Sequence, residues 1–371
     1  MKKLITAIGL MSGTSCDGID ASIIKSDGEN SLELIGDYFL PYAEKIKIRI
    51  RKLKEKVDRV FELENKKKEI EDLENEITLL HSKAINLILK KLKMDRSEID
   101  LVGLHGHTIF HSFQDKETKQ LGDGKVLSKL SKLSVIYNFR KKDLKNGGQG
   151  APMVPIFHKL LQNKFKLKMP VVFINIGGIS NLTYLDKNDE MISFDSGPGN
   201  FLIDKLLQLK SNNKIQFDKN GEIALKGKID KKILNIYLND PYYVSLPPKS
   251  LDVNDFNVNL TKDINLENSI TTLSALTSHT IVEALNFFPN KPKKIILCGG
   301  GRKNKYIYEQ IKKKSNIPTI TIDKYKINGD FVESQAFAYL AIRSLLKKPI
   351  SFTRTTGVSK PMTGGSYIEF K

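Results

Sequence analysis

Cysteine is nearly absent. Two occur in 371 residues, Cys16 and Cys298, and neither belongs to a C-x-x-C pair. That excludes a disulfide framework and points to a reducing compartment, the cytoplasm. Arginine is also scarce, with eight among 60 basic residues. A formal charge of +18 would ordinarily point to nucleic acid. Readers of bases and phosphates lean on arginine forks, however, and the lysine excess is spread along the whole chain. It reads as a solvated surface that helps attract anionic substrates, and no nucleic-acid partner is expected. No apolar run approaches the roughly 20 residues of a spanning helix, so no membrane partner is expected. Lys2-Lys3 followed by Leu4 to Met11 has the outline of a short export signal. It carries Thr6 and Gly9 and no A-x-A site follows, so the segment is read as structure.

What is present is one pattern written twice. The apolar run Leu4 to Leu10 meets the small-residue loop Ser12-Gly13-Thr14-Ser15, and a second extended run follows at Asp20 to Ile24. In the middle of the chain Val171 to Ile176 meets Gly177-Gly178-Ile179-Ser180, followed by Asn181 to Leu185. Both read as strand, glycine turn, strand. Such a turn lets backbone approach a ligand closely and offers N–H and hydroxyl donors to phosphate oxygens. No lysine follows the first loop's glycines, so it is not a P-loop. Two such hairpins, each opening one half of the chain, predict two related lobes gripping a phosphorylated ligand in a cleft. Strands and helices alternate over most of the length, which makes the class α/β. Residues 44–93 are helical in pattern, with Ile70, Leu73, Ile77, Leu80, Ala84 and Leu87 on one face. Residues 113–126 read as loop or exposed hairpin, 211–267 as irregular, Ser269 to Phe288 as a strong helix, and the tail from Pro349 as loop.

Four places can carry chemistry. In the first hairpin, Asp17 or Asp20 could hold Mg²⁺ through water; the alternative is a tight turn needing Gly13 and Gly18. Cys298-Gly299-Gly300-Gly301, after an apolar strand and before a helix, reads as a nucleotide-phosphate turn, the alternative being close strand–helix packing. Asp195 precedes Gly197-Pro198-Gly199 at a strand's end, where a general base would stand in an open α/β sheet. Its alternative is a capping role near Phe201, which Asn200 could fill instead. His105, His107 and His111 are spaced to converge on a metal, although clusters of this kind more often make polar loop or substrate contacts.

The residues resemble a known family. Gly9-Leu10-Met11-Ser12-Gly13-Thr14-Ser15, Asp17-Gly18 and Asp20 resemble the opening of anhydro-N-acetylmuramic acid kinases. So do Phe139-Arg140 with Asp143, Gly147 to Pro152, Asn175 to Ile179 with Asn181-Leu182, and Asp195 with Gly197-Pro198-Gly199-Asn200. Asn239-Asp240-Pro241-Tyr242, Pro248-Lys249-Ser250, Cys298 to Gly301 with Asn304, and Glu333 with Ala336-Phe337-Ala338 complete the set, in order across nearly the whole chain. The resemblance implies the two-lobed fold of actin, heat-shock ATPases and sugar kinases, with a duplicated mixed-sheet core and an interlobe cleft. The expected first lobe is 1–133 plus about 347–371, and the second is 134–346. It implies a homodimer and an ATP- and Mg²⁺-dependent kinase that opens 1,6-anhydro-N-acetylmuramic acid with water and phosphorylates O6, in cell-wall recycling. Asp195 matches the catalytic base. Gly13, Thr14, Ser15, Cys16, Asp17, Gly18, Ile19 and Asp20, with Gly177, Gly178, Gly299, Gly300 and Gly301, match the nucleotide site. His105, Arg140 and Glu333 are sugar contacts by position; Arg140 could alternatively pair with Asp143. Cys16 stands in place of a usual Leu, His107 of Gln and Asn138 of Asp. Leu251-Asp252-Val253 stands where Gly-Arg is usual. The rival readings are a kinase of another sugar on this fold, an ATP-binding switch, and a metal-dependent carbamoyl transferase.

Overall fold

Continuous apolar runs without alternation make strands buried on both faces, and β1 (Ile5–Ser12) is buried at every residue. The computed structural model describes residues 3–13, 15–251, 256–261 and 263–371. The chain divides into two units, one of Met1–Lys166 with Phe331–Lys371 and one of Leu167–Asp330.

The first unit continues through β2 (Gly18–Ser26), β3 (Leu32–Pro41), α1 (Glu44–Lys56), α2 (Glu62–Asn65) and α3 (Lys67–Leu92). Then come β4 (Leu101–Ser112), β5 (Glu117–Leu121), α4 (Gly124–Ser131), β6 (Val135–Tyr137), α5 (Lys141–Lys145) and α6 (Pro155–Lys164). The expected helical stretch 44–93 is thus three helices. On α3, Ile70, Leu73, Ile77 and Ala84 are buried as their spacing requires, with Leu80 and Leu87 packed at the margin of the same core. The stretch read as loop or hairpin does contain a hairpin, since β5 pairs antiparallel with β4, and α4 follows it.

The second unit runs β7 (Val171–Ile176), β8 (Ile179–Leu185), β9 (Met191–Pro198), α7 (Phe201–Lys210), α8 (Lys231–Leu238), α9 (Leu266–Ala284), β10 (Lys294–Cys298), α10 (Lys305–Ser315) and β11 (Thr319–Thr321). The chain returns to the first unit for α11 (Val332–Leu345), α12 (Thr353–Thr356) and β12 (Ser366–Ile368). The tail therefore adds a strand that the sequence did not announce, antiparallel to β6.

The duplication is topological as well as local. The first sheet is ordered β12-β6-β4-β1-β2-β3 with β5 on β4, and the second β11-β10-β7-β8-β9. In each, three antiparallel strands (β1-β2-β3, β7-β8-β9) continue into two parallel ones (β4 and β6, β10 and β11). Helices fill the same slots, α1–α3 and α7–α9 after the third strand, α4 and α10 between the last two. Each unit has its own apolar core.

The unit boundaries stand at 166/167 and 330/331, not at 133/134 and 346/347. The reason is pairing and packing: β6 pairs with β4 and β12, and α11 packs on β1, β2 and β4. Two glycines admit α11. Gly9 and Gly103 are register partners on β1 and β4. A Cβ on Gly9 would lie 1.8 Å from the Ser334 carbonyl oxygen, and one on Gly103 2.3 Å from that of Phe337. Gly9→Ala is therefore expected to cost roughly 1–3 kcal/mol by overpacking, read as a lower urea midpoint at unchanged slope; an unchanged midpoint would refute the close-approach account.

Candidate active site

Asp195 lies inside β9, opposite Asn181 on β8, three residues before the strand ends at Pro198. The sequence places Asp195 at a strand's end; it stands instead within an antiparallel strand that runs on to Pro198. A register shift between Ser180 and Asn181 re-aims the segment locally. Asp195 is buried. Its N–H donates to the Lys249 carbonyl at 3.1 Å, its own carbonyl accepts the Tyr242 hydroxyl at 2.6 Å, and its Oδ2 accepts the Leu251 N–H at 2.9 Å. Asn200 holds the N-cap position of α7, but no side-chain cap bond forms; its amide donates to the Ile176 carbonyl at 3.3 Å.

The second glycine hairpin joins this turn directly. The Gly178 carbonyl accepts from Gly199 N–H at 2.8 Å and Phe201 N–H at 3.1 Å, and that of Gly177 from Asn200 N–H at 2.8 Å. A Cβ on Gly199 would sit 2.2 Å from the Gly177 oxygen. The triple glycine packs against the same strand end. A Cβ on Gly299 would meet Asn175 Oδ1 at 2.4 Å, and one on Gly301 the Ile176 side chain at 2.3 Å, whereas Gly300 has nothing within 4 Å. Gly299 (φ +74°) needs the left-handed region. Close packing and an open, bare backbone thus coexist within three residues. A single-turn 3-10 helix, Gly300–Lys303, starts on the second of the three glycines and leads into α10, which Asn304 caps by accepting Ile307 N–H at 3.2 Å. Arg302 anchors the loop. Its guanidinium grips Asp323 with two bonds (2.7 and 2.8 Å), Asp330 at 2.6 Å and the Gly299 carbonyl at 2.9 Å. Burial opposes ionisation of Asp323, but the Arg302 bonds and charge win and hold its carboxyl at about 2.

In the first unit, Gly13 again has open space above its Cα, the nearest atom being 4.0 Å away. Thr14 lies outside the described residues. Ser15 and Asp17 are exposed, Asp20 is half-buried, and Ile19 is in the core. Gly18 permits contact with β3: a Cβ would meet the Leu40 carbonyl at 2.2 Å. Cys16 (φ +59°) is buried, and burial pushes its thiol up to about 11. It belongs to a buried chain. Tyr42 donates its hydroxyl to Ser12 Oγ at 3.0 Å, Ser12 Oγ meets His107 Nδ1 at 3.0 Å, and His107 Nε2 meets Cys16 Sγ at 3.6 Å. One proton assignment satisfies the chain: Ser12 donates to Nδ1 and Nε2–H donates to sulfur. The two unusual residues, Cys16 and His107, are therefore partners.

His105, Arg140 and Glu333 come together in the first unit. Arg140 donates from Nε (3.1 Å) and Nη2 (3.0 Å) to His105 Nε2, while His105 Nδ1–H donates to the Gly106 carbonyl at 2.9 Å. Burial first, then the Arg140 charge, hold this imidazole neutral, well below its usual range. Its ring lies 4.4 Å from that of Phe337, one turn beyond Glu333 on α11. Burial raises the Glu333 carboxyl, and the Arg140 charge works against that rise. Arg140 and Asp143 hold Gly150 from two sides, Nη1 on its carbonyl at 2.8 Å and Oδ1 on its N–H at 2.7 Å. Asn138 has φ +57°, a conformation asparagine tolerates.

A family model described as "Anhydro-N-acetylmuramic acid kinase" matches residues 5–369. The anhydro-N-acetylmuramic acid kinase of Pelagibacter ubique is 44% identical over 378 residues, covering 100% of both chains. That of Zymomonas mobilis is 37% identical, covering 97% of this chain and 98% of its own, and that of Brucella canis 36%, covering 98% and 99%. The chain belongs to the anhydro-N-acetylmuramic acid kinase family. It is accordingly a phosphotransferase. Among solved structures, component A of the (R)-2-hydroxyglutaryl-CoA dehydratase of Acidaminococcus fermentans shares the fold, with TM-score 0.50 at 10% identity, covering 92% of this chain and all of that one. The fold class is α/β, two mixed sheets each packed with helices. Among the described residues no helix is long and apolar enough to cross a membrane.

Among the described residues no group of three or more His, Cys, Asp or Glu could hold an ion alone. The three histidines do not converge: His111 binds Thr118 Oγ1 at 3.1 Å and the Gln149 carbonyl at 2.9 Å, so both nitrogens of each ring face protein partners. Sequence reasoning missed the Arg302 anchor, the Ser12–His107 chain and the surroundings of Lys249. The Pro-Pro-Lys-Ser spelling was the only visible signal for the last.

Burial lowers His107 to about 3. The unfolded ring, near 6.5, takes up a proton first as pH falls. The neutral ring thus supports the fold above about 6.5, and that support drains away between about 6.5 and about 3. His107→Gln is expected to flatten the pH slope of stability in that window by up to about 1.4 kcal/mol per pH unit, measured by urea unfolding at pH 4 to 7. An unaltered slope would mean His107 is not held neutral.

Proposed function

We propose that the chain converts 1,6-anhydro-N-acetylmuramic acid, ATP and water to N-acetylmuramic acid 6-phosphate and ADP. The single observation that carries this reading is Asp195, a buried carboxylate held by the Lys249 carbonyl at its N–H, by the Tyr242 hydroxyl at its C=O and by the Leu251 N–H at Oδ2, on the strand whose following turn bonds the second glycine hairpin. A base so fixed keeps its lone pair aimed without reorganising. Asp195 takes a proton from water as the water oxygen attacks the anomeric carbon. The C1–O6 bond breaks, O6 takes the γ-phosphoryl group, and the bond from Pγ to the β–γ bridging oxygen breaks to release ADP.

In the second unit, bare backbone at Gly177 and Gly300 offers phosphate oxygens an approach that meets no Cβ, and in the first unit Gly13 does the same. Ser15, Gly18, Ile19, Gly178, Gly299 and Gly301 shape those loops. Mg²⁺ near Asp17 and Asp20 would offset phosphate charge. Phosphoryl transfer depends mainly on positioning and electrostatics, which suits a site rich in backbone donors. Arg140 is suited to the lactyl carboxylate as a bidentate donor, once its fork turns from His105. Glu333, kept less acidic by burial, is suited to a sugar hydroxyl. ATP dependence and the two buried cysteines, Cys16 and Cys298, suit the cytoplasm, and the family resemblance suits a homodimer, which sedimentation tests.

With ¹⁸O-labelled water, mass spectrometry should find one phosphoryl group and one labelled oxygen gained per sugar, the label at C1. A product carrying phosphate and no label would reject the hydrolytic opening. Asp195→Asn should lower kcat by roughly 10²–10⁴-fold at a similar melting temperature; full activity would remove Asp195 as base.

A further inference from the structure

Lys249 is a buried lysine on the segment that grips Asp195. Its ammonium donates to the Tyr242 carbonyl at 2.8 Å and reaches that of Tyr243 at 3.4 Å. Three rings surround it, Phe287 at 4.5 Å, Tyr242 at 4.6 Å and Phe194 at 5.7 Å from Nζ to centroid. Burial draws its pKa down to about 8, still largely cationic at neutral pH. Phe194 immediately precedes Asp195 on β9, and Phe287 closes the 3-10 turn after α9.

These contacts tie the two ends of one loop. The 242–243 end supplies carbonyls to the ammonium and the Tyr242 hydroxyl to the Asp195 carbonyl. The 249–251 end supplies the carbonyl that accepts Asp195 N–H and the N–H that binds Oδ2. An apolar side chain could fill the cage but could not satisfy both carbonyls, and the loop would lose its tie. The bond to Oδ2 comes from the Leu251 main chain, which any residue type can supply.

We propose that Lys249 is a positioning residue for the reaction: its caged ammonium staples residues 242–251 into the clamp that aims Asp195. The inference rests on the reading of Asp195 as the base.

The test uses the full chain with ATP and 1,6-anhydro-N-acetylmuramic acid. Lys249→Met is expected to lower kcat about 10²-fold with KM for ATP within about twofold, and Lys249→Arg to recover part of the loss. In an Asp195→Asn background Lys249→Met should have no further effect, because the two act as one unit. Wild-type kcat in Lys249→Met, or an equal further loss in the Asp195→Asn background, would overturn the proposal. Wild-type activity of Asp195→Asn alone would instead overturn the base reading, so the two failures are distinguishable. If Lys249→Met does not fold, Tyr242→Phe keeps the ring and removes the hydroxyl. It should cost about tenfold in kcat, again silent in the Asp195→Asn background, and no loss would overturn the clamp.

Discussion

Backbone crowding around the end of β7 is the constraint on which the second unit depends. Gly199 lies against the Gly177 carbonyl, Gly299 against Asn175 and Ile176, and Gly301 against the Ile176 side chain. Side chains at any of these positions would push the segments apart. With them absent, two loops and the turn after Asp195 share one small space, and Gly300 is left open above it. The same economy operates in the first unit, where Gly9 and Gly103 let α11 lie on the sheet and bring Glu333 and Phe337 to His105.

Charge is handled differently inside and outside. Most of the 60 basic residues are a solvated surface, and exposed ion pairs there contribute little. The buried cations are each tied to a loop. Arg302 spends its guanidinium on two carboxylates and the Gly299 carbonyl, and Lys249 on carbonyls and aromatic faces. Buried imidazoles go the other way: His105 and His107 are kept neutral by desolvation, which lets each accept at one nitrogen and donate at the other. The lysine-rich composition therefore says little about the site, whose cations are few and individually placed.

Much was legible before the tertiary structure. The repeated hairpin was visible because two fully buried strands and their glycine turns are local patterns, and β1-β2 and β7-β8 pair as read. The α3 face followed from spacing. Harder to read were short or composite elements: β12, three residues long, is a strand only because β6 offers it an edge, and α8 sits in a stretch whose polar composition conceals it. For the histidine cluster the polar-contact reading, not the metal alternative, matches the structure: spacing along one strand does not reveal what each ring meets, and His105, His107 and His111 each meet different protein partners.

The chain itself determined the α/β class, the duplicated hairpins, the family and the residue types available for chemistry, because each of these is written in contiguous residues. The tertiary structure alone decided which of those residues meet. Cys16 and His107 are 91 positions apart and in contact, Asp195 is clamped by a loop some fifty residues on, and α11 belongs to the unit that holds the N-terminus. Such pairings follow from which buried surfaces fit closely in three dimensions, and side-chain fit of that kind has no period or spacing along the sequence.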